Sequence, residues 1–67
     1  MDIETLHLIA IRCFERIRTK CIFLRIYTYE EEDGNLAFYG LYKCKRRFVV
    51  RKVILTFNGE VVAIITL

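Results

Sequence analysis

From residue 21 onward the apolar residues alternate with one another rather than with polar ones, so strands built from them are apolar on both faces. In Cys21-Ile22-Phe23-Leu24-Arg25-Ile26-Tyr27-Thr28-Tyr29, an extended chain points Ile22, Leu24 and Ile26 to one side. Phe23, Tyr27 and Tyr29 point to the other. The segment Val61-Val62-Ala63-Ile64-Ile65-Thr66-Leu67 is likewise apolar on both sides. A small sheet with two apolar faces needs two covers, and the sequence offers one helix. The second face must therefore meet another copy, a partner or a ligand.

The helix is predicted over about residues 2–19, with Asp2 as its N-cap. Ile3, Leu6, Ala10, Cys13, Phe14 and Ile17 recur at spacings of three and four, which draws one apolar stripe along it. Glu4 lies near its start and Arg16, Arg18 and Lys20 near its end, as the helix dipole favours. Leu8 and Ile11 fall off the stripe and hint at a second contact surface.

After Lys20 the period changes to two. Glu32-Asp33-Gly34-Asn35 reads as a hairpin turn, and Asn58-Gly59 as a stronger type I′ signal. The basic run Lys45-Arg46-Arg47 connects the two hairpins. Strands are predicted at about 21–31, 35–45, 48–57 and 60–67. One N-terminal helix on a four-stranded antiparallel meander is a two-layer α+β fold, with residues 1–67 as one domain. If Asp33-Gly34 is a two-residue turn, Tyr29 faces Phe38, Tyr27 faces Gly40, Arg25 faces Tyr42 and Phe23 faces Cys44. On the opposite face Thr28 meets Tyr39, Ile26 meets Leu41 and Leu24 meets Lys43. Tyr27 would then cover the strand glycine. The aliphatic face matches the helix, leaving Phe23, Tyr27, Tyr29 and Tyr42 uncovered as the expected interface of a homodimer.

Size and composition exclude much else. At 67 residues, 55% hydrophobic, with no Pro and three Gly, the chain has no room for a linker or a second core. No uncharged apolar run approaches the ~18 residues of a membrane span, and the acidic start does not resemble a signal peptide. A cytoplasmic, intracellular protein is the expectation. Cys13, Cys21 and Cys44 form an odd set without metal-ligand spacing and are expected as buried free thiols. No metal, cofactor or small-molecule substrate is implied. Ser is absent, and His7 is the only histidine, with no acid or nucleophile at a usable spacing. The acidic run Glu30–Asp33 lacks the alternating ligands of a calcium loop. The chain reads as a non-enzyme.

Charge supplies the functional hint. In a meander of this kind Asp2, Glu4, Glu30, Glu31, Glu32, Asp33 and Glu60 gather at one end and leave only Glu15 elsewhere. All the Lys and Arg residues fall in the other half. Such a field favours a polyanion at the basic end. The expected function is a small non-enzymatic regulatory module contacting nucleic acid. Lys43, Lys45, Arg46, Arg47 and Lys52 would meet phosphates, with Arg25 and Arg51 beside the aromatics Tyr27, Tyr29 and Tyr42 in a stacking and cation–π surface. The alternative is a protein-binding regulator or inhibitor, of the kind found among viral and mobile-element accessory proteins, that blocks a partner's surface.

Overall fold

A computed structural model describes residues 1–67. Helix α1 (Ile3–Arg16) is followed by β1 (Ile22–Glu32), β2 (Asn35–Cys44), β3 (Arg47–Leu55) and β4 (Val61–Thr66). The strands form one antiparallel sheet in the order β1-β2-β3-β4, with the helix on one face. This is the expected two-layer α+β meander. The molecule is elongated, 36 × 19 × 18 Å.

Asp2 caps α1 as expected: its Oδ1 accepts the Thr5 N–H at 2.8 Å. Leu6, Ala10 and Phe14 form the buried stripe. The helix stops earlier than its apolar period suggested, because Ile17 turns to ψ 125°. Two donors meet the carbonyl left free there: the Ile17 N–H at 3.4 Å and the Tyr42 hydroxyl at 2.6 Å both donate to Phe14 O.

The Asp33–Gly34 hairpin turn forms as expected, whereas the Asn58–Gly59 turn is not the type I′ turn expected of it. Asp33 (φ 51°) and Gly34 (φ 80°) both adopt the left-handed conformation, so this is the type I′ turn. In the other, only Gly59 is left-handed (φ 86°). Its N–H donates to Thr56 O at 2.9 Å, and Thr56 N–H donates to Glu60 O at 2.8 Å, enclosing a three-residue loop. The Thr56 hydroxyl stabilises this wider loop by accepting the N–H groups of Asn58 and Glu60 at 3.3 and 3.1 Å.

The register of β1 on β2 departs from the simple count, and the helix covers the opposite face from the one expected. Next to the turn, Tyr29 faces Phe38 and Thr28 faces Tyr39, as expected. Beyond it the ladder shifts twice, with Tyr27 and Leu24 as the extra residues. Ile26 rather than Tyr27 faces Gly40, Arg25 faces Leu41, Phe23 faces Tyr42 and Ile22 faces Lys43. Phe23, Phe38 and Tyr42 lie on the helix side, not on an open face, and join Leu6, Ala10, Phe14, Leu36, Val53 and Leu55 in the core. Tyr42 is 1% exposed.

Gly40 explains why the helix chose this face. A Cβ there would stand 2.7–2.9 Å from three atoms of the Phe14 ring, so the missing side chain is the seat for that ring. Phe14 stacks on Phe23 with centroids 5.2 Å apart and meets Tyr42 edge-on at 6.2 Å. The glycine admits the helix and is not roofed by Tyr27, whose ring instead approaches Tyr39 at 6.2 Å.

The uncovered face carries mixed chemistry. Ile22, Tyr27 and Phe48 are exposed, while Lys52, Glu32, Tyr39 and Glu30 form a polar cluster.

Candidate nucleic-acid interface

The end of the molecule opposite the Asp33–Gly34 tip is assembled by a crosslink. Ile22 faces Lys43, so the next residues outward, Cys21 and Cys44, meet across the ladder. They form a disulfide with Cα atoms 4.3 Å apart. The expectation of three free thiols is corrected: only Cys13 is free, and burial raises its pKa. The bond ties the segment leaving α1 to the β2–β3 turn. Lys20 therefore stands with Lys45, Arg46 and Arg47 around an open hollow of about 570 Å³ floored by the disulfide.

Beneath this rim lies a fixed support. The Arg51 guanidinium sits 4.4 Å above the Tyr42 ring centroid, and its Nη2 reaches Thr19 Oγ1 at 3.5 Å. Thr19 Oγ1 also accepts the Cys21 N–H at 3.2 Å. Tyr42 in turn holds the end of α1, and burial raises its pKa. Arg51 Nη1 is buried without a partner. Arg51 thus braces the basic end from below and does not present its charge to solvent with the others.

The residues expected to contact nucleic acid separate into groups. Lys45, Arg46 and Arg47 are exposed at the turn. Lys43 is half-buried, its Nζ 4.4 Å above the Phe48 ring, and Phe48 is 60% exposed. Arg25 is exposed in the middle of β1 opposite Leu41, on the open face. Arg51 is the internal brace. Lys52 is drawn away altogether: its ammonium lies 2.9 Å from Glu32, the single ion pair of the molecule, and that hydrogen bond raises its pKa. Tyr39 donates to Glu30 at 2.8 Å alongside, which raises the phenol pKa.

The expected interface residues divide as well. Phe23 and Tyr42 belong to the core. Tyr27 and Tyr29 remain about half exposed, but Tyr27 faces Tyr39 whereas Tyr29 rests 5.6 Å from Phe38. They do not form a common aromatic surface with Tyr42.

Two contributors to the site were not among the residues expected to bind: Lys20, which the charge pattern placed only in the basic half, and Phe48. Lys20 precedes Cys21 and Lys45 follows Cys44, so pairing those cysteines brings the two lysines together. Phe48, one residue past the basic run, has nothing to distinguish it from the other strand aromatics.

No cluster of three or more His, Cys, Asp or Glu side chains is placed to hold a metal ion. His7 stacks on Phe38 with centroids 6.0 Å apart. No helix is long and apolar enough to cross a membrane. No family model, curated protein or solved structure matches the chain.

Proposed function

We propose that this protein is a small non-enzymatic binding module that contacts nucleic acid through the disulfide-clamped basic end. The observation that carries the proposal is the convergence of Lys20, Lys45, Arg46 and Arg47 on one hollow while the only ion pair lies elsewhere. Four cations held close together without counter-charges repel one another, and a polyanion relieves that repulsion while releasing its own counterions. The exposed ring of Phe48 beside Lys43 offers an unstacked base a surface at the same end.

The test is fluorescence anisotropy with a labelled single-stranded oligonucleotide across a salt series. Affinity is expected to fall steeply with salt. Lys45→Glu with Arg46→Glu should weaken binding by at least tenfold and flatten the salt slope by about 0.7 for each phosphate no longer neutralised. Lys52→Gln, outside the cluster, should change it little. Binding indifferent to the double reversal would refute the proposal.

The second reading, a regulator that covers a partner protein's surface, draws on the open sheet face, where Ile22 and Phe48 are 68% and 60% exposed. Under that reading, hydrophobic-to-charge substitution at Ile22, and not charge reversal at the turn, abolishes the biological effect.

A further inference from the structure

The two edges of the sheet differ in a way that bears on self-association. β1 is the longer edge, eleven residues, and it is broken by bulges at Leu24 and Tyr27. It also carries Arg25, Glu30, Glu31 and Glu32. Bulges and charges are the devices by which sheets keep an edge from pairing with another chain. β4 has none of the charges, no Pro and no Gly, and its one irregularity, at Val62, lies near its start. Val61, Val62 and Ile64 are 50%, 52% and 48% exposed. An apolar, uncharged edge of this kind is a template for another strand.

The hydrogen-bond phase shows which groups are on offer. Leu67 N–H donates inward to Val50 O at 2.9 Å. Alternation along an antiparallel strand therefore turns the main-chain groups of Thr66 and Ile64 outward. The side chains are arranged just as regularly. Ile65, facing Lys52, lies on the open side of the sheet, and Ile64, facing Val53, lies on the helix side.

We propose that β4 pairs antiparallel with β4 of a second copy, with Ile65 on the twofold axis. Ile64 of each copy then exchanges hydrogen bonds with Thr66 of the other, satisfying every outward group of the regular segment. On the open face Ala63 of one copy meets Leu67 of the other, small against large, on either side of the Ile65 pair. Charge fixes the direction. β4 starts beside Glu60 at the acidic end and finishes opposite Arg51 in the basic half. Antiparallel pairing sets acidic end against basic end, whereas parallel pairing sets like against like. The symmetry closes on itself, and the bulged, charged β1 edges left outside do not propagate the sheet.

The pairing is independent of nucleic-acid binding, so it is tested on the pure protein alone. Light scattering at micromolar concentration should give twice the 8.0 kDa mass of the chain. Thr66→Pro deletes only an outward N–H, so it should leave the far-UV circular dichroism unchanged while weakening the dimer by at least tenfold. In a Cys13→Ala background, Ile65→Cys should oxidise to a covalent dimer far faster than Leu24→Cys, because directly opposed residues at a non-hydrogen-bonded pair stand within disulfide reach. A monomeric mass at that concentration overturns the proposal. So does a dimer that Thr66→Pro leaves intact or that crosslinks better through Leu24→Cys.

Discussion

Opening the Cys21–Cys44 disulfide should both destabilise the fold and loosen the basic end. The bond closes a loop with a sequence separation of 23, for which the chain-entropy estimate is about 3 kcal/mol. A domain of this length has roughly 3–10 kcal/mol of stability in all, so the crosslink supplies a large part of it. Reduction, or the double substitution Cys21→Ala with Cys44→Ala, should lower the melting temperature by about 12–24 °C. Thermal unfolding by circular dichroism, at one fixed protein concentration because the chain is proposed to dimerise, reads this directly. The same treatment frees Lys20 from Lys45, Arg46 and Arg47, so oligonucleotide affinity measured below the new melting point should fall too. Alkylation before reduction supplies the refutation. If all three cysteines react in the untreated protein, or if reduction leaves the melting temperature where it was, the crosslink does not hold this end together. Disulfides persist in oxidising compartments and open in a reducing cytosol, so the surroundings of the protein govern how firmly its basic end is built.

Gly40→Ala should destabilise the fold, although alanine ordinarily improves a strand glycine by about 0.4–1 kcal/mol through the unfolded state. The new Cβ would stand 2.7 Å from the Phe14 ring, which Phe23 and Tyr42 prevent from retreating, and overpacking of this kind costs roughly 1–3 kcal/mol. Urea unfolding should show a net loss that shrinks in a Phe14→Leu background; a stabilised Gly40→Ala would refute the seating of the ring. The pH dependence at the N-terminus of α1 follows from Asp2, whose pKa is lowered by the Thr5 N–H and hydroxyl. Because the folded value lies below the unfolded one, its contribution is present above the unfolded pKa and is lost as pH falls through the folded value. Asp2→Asn should therefore flatten the acid limb of the stability curve, and NMR titration should find Asp2 below the ordinary aspartate range.

The elements were legible because their signals are local: the Asp2 cap, the three-and-four spacing through Phe14, the change to period two after Lys20. The faces were not. The two extra residues of β1, Leu24 and Tyr27, invert only the stretch between them and cancel beyond it, so Phe23 returns to the side of Tyr42. What changes is the side the helix covers, the aromatic one on which Phe14 packs. Neither position carries the glycine that would have announced a bulge. Gly40 did carry a signal, but it has two physical meanings, a floor for a cross-strand aromatic or a seat for an approaching helix, and the sequence does not choose between them. The cysteines show the same limit. Their pairing follows from Ile22 facing Lys43, which depends on both bulges, so a register counted from the turn alone sets Cys44 opposite Phe23 and leaves Cys21 without a partner. The close approach of Lys20 to Lys45 is hidden with it, although its place in the basic half is not. The pairing of Lys52 is hidden for another reason, since sorting charges by position along a strand ignores the cross-sheet reach that brings Glu32 to within 2.9 Å.

End-to-end charge separation links the two proposed surfaces, and it limits how they work together. With β4 paired antiparallel, the two basic ends lie at opposite ends of the assembly, as far apart as protomers 36 Å long allow. A parallel arrangement would have placed both rims side by side, eight cations without counter-charges, and the like-charge repulsion would oppose the very pairing that formed it. The antiparallel dimer avoids this, and each rim then meets a polyanion separately. A short oligonucleotide fills one rim without help from the other. A strand long enough to span the assembly engages both, and its second contact becomes intramolecular, with the gain in avidity that follows. Thr66→Pro should therefore leave the affinity for short oligonucleotides nearly intact and reduce only the extra affinity for long ones. A loss that is equal at all lengths would mean that β4 pairing shapes the rim itself rather than joining two of them.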